Sequence, residues 1–317
     1  PDFAFIRFDE FLSKLPEDIH IFSFLYNNPD VINLLAEIFG GYPKLSNILS
    51  NSPYLVEYII SPEFDKKIPD KERLRTNLER DIKDSLAINN EEAIEVIKNW
   101  TNNRKFRIGA QFIQKYITSD QVFKGLSNVA DVTIEKIIEI VKADFIDEYN
   151  LDVNDEVFGK FAVIAFGKLG SRELTFESDL DLAFVYDFEE SEENLSKLKI
   201  SPQKFYYKFV SKVIFLLSSI TTSGMLYDVD TRLRPLGKSG PLATSILSFD
   251  EYYNPERKEG TAWVFEYIAL TKARVISLDV DFKDFEEYYD YAKQRDQILI
   301  DNTLKRMEED NVNVAVM

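Results

Sequence analysis

The sequence predicts an α+β protein, with a long helical front followed by short buried strands interleaved with helices. Two observations carry this. Up to about residue 150, apolar residues recur at helical spacing in run after run, and beyond it come short continuous apolar runs that end at glycine or aspartate. The change of texture near Asn150 divides the 317 residues into an all-helical region, 1–150, and a second domain, 151–317, with its own C-terminal helices.

In the front region, Phe5, Phe8, Phe11, Leu12 and Leu15 mark one helical stripe. Val31, Leu34, Leu35, Ile38 and Phe39 mark a second, which stops at Gly40–Gly41 as helices commonly do. Asn51-Ser52-Pro53 and Ser61-Pro62 punctuate the chain before an amphipathic stretch from Asp70 to Leu86. Long helical patterns follow over Glu91–Ile117 and Val132–Phe145. In the second domain, Phe161–Phe166 and Leu180–Tyr186 read as buried strands, and Met225–Leu233 as a third. The acidic stretch Phe188–Ser201 reads as a loop, and Pro202–Ile220, Thr261–Val275 and Asp281–Ile298 as helices.

Composition narrows the chemistry. At 45% hydrophobic the chain buries an ordinary core, and 25 Phe and 16 Tyr argue against disorder. A net charge of -17 disfavours nucleic acid and anionic lipid as partners. There is no Cys, and the only His is His20, which sets aside disulfides, thiolate chemistry, Cys-ligated zinc and His-based triads. No apolar run is long enough to span a bilayer and no signal peptide is visible, so a cytoplasmic location is expected. The chain opens on Pro1 rather than Met, as a piece of a longer protein would.

Three features then stand within about seventy residues: Phe166-Gly167-Lys168-Leu169-Gly170-Ser171, Ser178-Asp179-Leu180-Asp181-Leu182 and Asp228-Val229-Asp230-Thr231-Arg232-Leu233-Arg234. Alternate strand residues share a face, so Asp179 and Asp181 point one way and Leu180 into the core. Two adjacent carboxylates repel unless a cation separates them, and Mg²⁺ takes oxygen ligands of this kind. Asp230 on a further strand supplies a third carboxylate, enough for two metals about 3.5–4 Å apart, the spacing of in-line nucleotidyl displacement. Asp230 is also the candidate general base. Gly167 and Gly170 allow backbone amides to approach a triphosphate, and Ser171 offers a hydroxyl. An isolated Asp-x-Asp is more often a solvated strand edge; the glycine-serine turn before it and the Asp-bearing strand after it favour the metal reading. Asp228 reads as a solvated or Arg-paired neighbour. Arg232 and Arg234 either contact phosphate or organise the acidic site, and Lys238 and Ser239 either hold phosphates or form a plain turn. Gly237-Lys238-Ser239 is not the end of a P-loop, because that motif needs glycine where Arg232 stands.

These residues lie within longer segments that resemble a known family. FGKLGSRELTFESDLDLAFVYD, MLYDVDTRLRPLGKSGPLATS and AWVFEYIALTKARV, within residues 160–276, are similar to the adenylyltransferase that modifies glutamine synthetase, and NSPYLVEYII and Arg104–Ala110 extend a weaker likeness into the helical front. The resemblance implies a DNA-polymerase-beta-like nucleotidyltransferase domain, with a small mixed sheet and helices. It also implies Asp179, Asp181 and Asp230 as metal and catalytic carboxylates, Mg²⁺ as cofactor and ATP as substrate. Ser171 departs from the glycine usual at its position. The implied partners are glutamine synthetase and a nitrogen-regulatory PII-type protein. Family members carry two such units, one adding AMP to a tyrosine and one removing it by phosphorolysis. The single motif set corresponds to one half, and its pieces TTSGMLYDVDTRLRP and AWVFEYIALTKARV are more similar to the adenylylating unit. The helical region that follows a catalytic unit in the family is expected to be absent or truncated after about residue 310. A different nucleotidyltransferase, acting on another protein or a small molecule, and a non-catalytic helical scaffold remain as alternatives.

Overall fold

The computed structural model describes residues 2–277 apart from 16–24, 60, 62–63, 65–66, 88, 152–159, 189, 221–223, 254–261 and 263. His20 and the predicted helix Asp281–Ile298 lie outside the described residues. The chain divides into two compact units. One comprises Pro1–Asp144, Arg172–Asp179 and Lys212–Val229, the other Phe145–Ser171, Leu180–Ser211 and Asp230–Met317. The first break falls between Asp144 and Phe145, and two later segments return to the first unit.

The first unit is helical: α1 Asp2–Ser13, α2 Pro29–Gly41, α3 Pro43–Asn51, α4 Leu55–Ile59, α5 Lys71–Asp84, α6 Asn90–Ile113 and most of α7 Ser119–Tyr149. Local chemistry starts these helices. Pro29 and Pro43 open α2 and α3, and the Asp70 and Asn89 side chains accept the Arg73 and Glu92 amide protons at the heads of α5 and α6. The stripe Val31, Leu34, Leu35, Ile38 and Phe39 is buried along α2, as its spacing predicts, in a core with Phe11, Leu45, Leu49 and Phe106. The α7 helix buries Asp131 and Glu135, and the Glu135 carboxylate is met by Lys71 and Arg75, each at 2.7 Å. Segment 172–179 is tied to the same helix: Arg172 donates to Asn128 Oδ1 at 2.8 Å, and the Leu174 amide to Ser127 Oγ at 3.4 Å.

Among the described residues five strands form one sheet: β1 Lys160–Ala165, β2 Leu180–Asp187, β3 Val229–Asp230, β4 Ala243–Ser245 and β5 Arg274–Ser277. Their order is β3-β2-β1-β5, with β4 also pairing β2. The sheet is mixed, since β1 runs antiparallel to β2 and β5 while β4 runs parallel to β2. Both faces of β2 are covered. Ala183 and Val185 pack with Phe249 and Tyr253 of α11 (Ile246–Tyr253), while Tyr186 stacks on Tyr206 of α10 (Pro202–Ser218) at 3.9 Å between ring centroids. Among the described residues, no helix is long and apolar enough to cross a membrane.

Four expected elements differ: the helix expected over Val132–Phe145 is α7, which already begins at Ser119 and runs to Tyr149. The stretch Phe188–Ser201, expected as a loop, contains a helix, α9 Glu192–Leu198, which Ser191 caps and which Lys199 closes in a left-handed conformation at φ 59°. The strand expected over Met225–Leu233 shrinks to Val229–Asp230. Before it, the Tyr227 amide bonds to the Leu217 carbonyl; after it, the Arg232 amide turns back onto the Asp230 carboxylate. The helix expected over Thr261–Val275 is α12 Val264–Leu270, a turn at Thr271–Lys272, and then β5.

Candidate active site

The site forms where β1 ends and β2 begins, beside the turn that contains α8 (Gly167–Gly170). The Phe166 amide donates to the Asp181 carbonyl at 2.9 Å, which fixes the entry to α8 against the start of β2. The next residue, Gly167, has a left-handed φ of 52°, and a Cβ there would collide with the Asp181 carboxylate. Glycine is therefore required twice at this position, by backbone and by space. Ahead of β2, Thr175 and Ser178 close a turn through a 2.7 Å hydroxyl contact and deliver Asp179 to the strand. Leu180, the first residue of β2, is fully buried, as alternation predicts.

The structure brings the three expected carboxylates together. One oxygen from each of Asp179, Asp181 and Asp230 lies within 4.8 Å of the other two. Asp179 is exposed and the others half-buried. Such an all-carboxylate set suits a hard divalent cation such as Mg²⁺. Asp230 is anchored by its second neighbour along the chain. The Arg232 backbone amide donates to Oδ1 at 2.8 Å and its Nε to Oδ2 at 2.6 Å. These side-chain and backbone bonds to Arg232 hold the Asp230 carboxyl below the usual carboxylate range, burial opposes them, and the nearby Lys238 charge adds to the lowering.

The other expected residues divide. The Gly170 amide donates to the Phe166 carbonyl at 2.8 Å and the Ser171 amide to the Gly167 carbonyl at 3.1 Å, so both serve the turn itself. A Cβ on Gly170 would strike the carbonyl oxygens of Lys272 and Ala165, which makes this glycine a packing requirement. Arg234 is buried and ties the turn after β3 together, donating to the Thr231 carbonyl at 2.7 Å, the Thr231 hydroxyl at 2.8 Å and the Gly240 carbonyl at 3.2 Å. Lys238 and Ser239 sit exposed in a single 3₁₀ turn. Asp228 is not one of the three clustered carboxylates: it lines a cavity of the first unit, 4.0 Å from Lys44. Sequence reasoning missed Arg274 as a support. It lies on β5, not on a helix, and donates to the Leu169 carbonyl inside α8 at 3.1 Å.

The helical region, the small mixed sheet and the acidic triad match the architecture of a DNA-polymerase-beta-like nucleotidyltransferase domain. The profile of the family described as Glutamate-ammonia ligase adenylyltransferase matches residues 32–287. Several curated proteins described as bifunctional glutamine synthetase adenylyltransferase/adenylyl-removing enzyme are similar. The one from Mesorhizobium japonicum is 34% identical over 279 residues, 88% of this chain and 27% of the relative. That from Bartonella quintana is 35% identical over 282 residues, 89% of this chain and 28% of its own. That from Rhodopseudomonas palustris is 32% identical over 311 residues, 97% and 30% of the two chains. The chain thus spans between a quarter and a third of the length of these relatives. With the profile covering most of its length, and the carboxylates of the resembling motifs gathered at one point, the chain belongs to the glutamate-ammonia ligase adenylyltransferase family.

Proposed function

We propose that the chain is a Mg²⁺-dependent adenylyltransferase that moves AMP from ATP to a tyrosine of glutamine synthetase. The observation that carries this reading is the Asp179, Asp181 and Asp230 cluster beside the Gly167 turn. In the reaction the tyrosine hydroxyl gives up its proton to solvent water, its oxygen forms a bond to the α-phosphorus, the bond from that phosphorus to the oxygen bridging to the β-phosphate breaks, and pyrophosphate leaves with that oxygen and the electron pair. Bound at the triad, the divalent cation would lower the pKa of the acceptor hydroxyl, about 10 when unperturbed, and offset charge on the leaving group.

The chain's own residues have separable tasks. Asp179, Asp181 and Asp230 hold the cation. Asp230 is the candidate base on sequence, but Arg232 lowers its proton affinity, which suits a cation ligand better than a proton acceptor. Arg232 and the exposed Lys238 supply positive charge for the phosphates, with Ser239 beside them. Gly167 lets the turn lie against Asp181, while Gly170, Ser171 and Arg234 keep the two turns in shape.

Adenylylation is favoured over removal by the likeness of TTSGMLYDVDTRLRP and AWVFEYIALTKARV to the adenylylating unit, and the reverse activity is the competing outcome. The test is to incubate the protein with glutamine synthetase, Mg²⁺ and α-labelled ATP, and separately to offer adenylylated glutamine synthetase and orthophosphate. Label on glutamine synthetase, with pyrophosphate released, is expected. Release of ADP in the second reaction alone would assign the chain to the removing half. Pyrophosphate release that is indifferent to glutamine synthetase would point to another acceptor.

A further inference from the structure

The first unit contains a cavity of about 320 Å³, a volume that admits a small organic molecule. Lysines from three places in the fold line it: Lys14 just past α1, Lys44 on α3 and Lys105 on α6. Lys14 reaches the rim, where it donates to Asn51 Oδ1 at 2.9 Å. Lys44 stands 4.0 Å from the Asp228 carboxylate, and both side chains are largely open to solvent, so that pair is weak.

Lys105 is differently placed. Its Nζ donates to the Leu226 carbonyl at 2.5 Å and lies over the Tyr227 ring, 3.4 Å from the centroid. Both partners are neutral. Burial pushes its pKa down to about 7, and the charge of Lys44 adds to the push. Two lysine amines thus face one cavity, the charge of Lys44 disfavours protonation of Lys105, and the lining's acids are Glu10 and Asp228. Apolar residues, among them Phe176 and Met225, complete the wall. An anion placed between the two lysines would turn their repulsion into a shared attraction, with room left for a carbon skeleton.

We infer that this cavity binds a small oxyanion, a carboxylate or phosphate group, with Lys44 and Lys105 as its charged contacts and Lys14 at its mouth. The site uses none of the metal-binding carboxylates and requires neither ATP nor Mg²⁺.

The test is calorimetric titration of the whole chain, in EDTA, with orthophosphate and separately with succinate. The variants are Lys44→Met, Lys105→Met and, as a control at the proposed nucleotide site, Lys238→Met. At least one probe should bind the wild type, at least tenfold more weakly to each of the cavity variants, and equally well to Lys238→Met. Which probe binds identifies the anion as phosphate or carboxylate. No heat with either probe at millimolar concentration would overturn the inference. So would binding that survives both cavity substitutions, or that is lost only in Lys238→Met. If Lys105→Met does not fold, Lys44→Met, at a part-exposed position, decides alone.

Discussion

At the scale of single residues, two glycines three positions apart have different reasons to be glycine. Gly167 combines a φ of 52° with an approach to the Asp181 carboxylate that excludes a Cβ, whereas Gly170 meets only backbone carbonyls of Lys272 and Ala165. Gly167→Ala should therefore cost about 1–2 kcal/mol of backbone strain and, by displacing Asp181, at least tenfold in turnover. Gly170→Ala should cost about 1–3 kcal/mol through overpacking, with its activity loss following its stability loss. Urea unfolding and nucleotidyl transfer measured on both variants check this; full turnover in a folded Gly167→Ala protein would contradict it. Lys105 gives a second residue-scale expectation. A lysine whose folded pKa lies below its unfolded value weighs against folding when protonated. Wild-type stability relative to Lys105→Met should rise from about pH 7 toward the unfolded lysine value, about 10.4, and stay level below pH 7. Parallel stability curves for the two proteins would remove the claim.

At the scale of elements, legibility followed the strength of the periodic signal. The α2 stripe and the β1 and β2 runs bury many residues per element, so their apolar spacing was readable. The α9 helix was not, because it buries only Leu198 and its acidic remainder shows no stripe. Its true signals are local, the Ser191 cap and the left-handed closing residue Lys199. Ser191→Ala should cost about 1 kcal/mol and Leu198→Ala about 2–5 kcal/mol, with metal affinity unchanged in both; thermal melts and metal titration test the pair. The strand β3 was over-read because Leu226 and Tyr227 are apolar and buried, yet they belong to the first unit rather than to the sheet. The α12–β5 break was hidden because the turn at Thr271–Lys272 contains neither glycine nor proline.

At the scale of the molecule, the three acidic positions were legible because the chemistry imposes a residue type and a spacing, Asp-x-Asp on one strand and a third Asp on another. Their supports were not, since Arg274 reaches Leu169 across more than one hundred positions of sequence and Arg234 serves a turn whose shape no local pattern announces. A texture change marks the neighbourhood of Asn150, but segments 172–179 and 212–229 join the first unit through contacts that only folding creates, Arg172 with Asn128 of α7 and Leu226 with Lys105 of α6. The central claim, that Asp179, Asp181 and Asp230 together form one divalent-cation site, is tested most directly by titrating the protein with Mn²⁺ and counting free ion by electron paramagnetic resonance. Wild type should bind Mn²⁺, Asn at any of the three positions should weaken binding at least tenfold while the fold survives, and Asp228→Asn should bind within about twofold of wild type. Unchanged binding in Asp181→Asn, or a loss in Asp228→Asn as large as in the triad variants, would contradict the account.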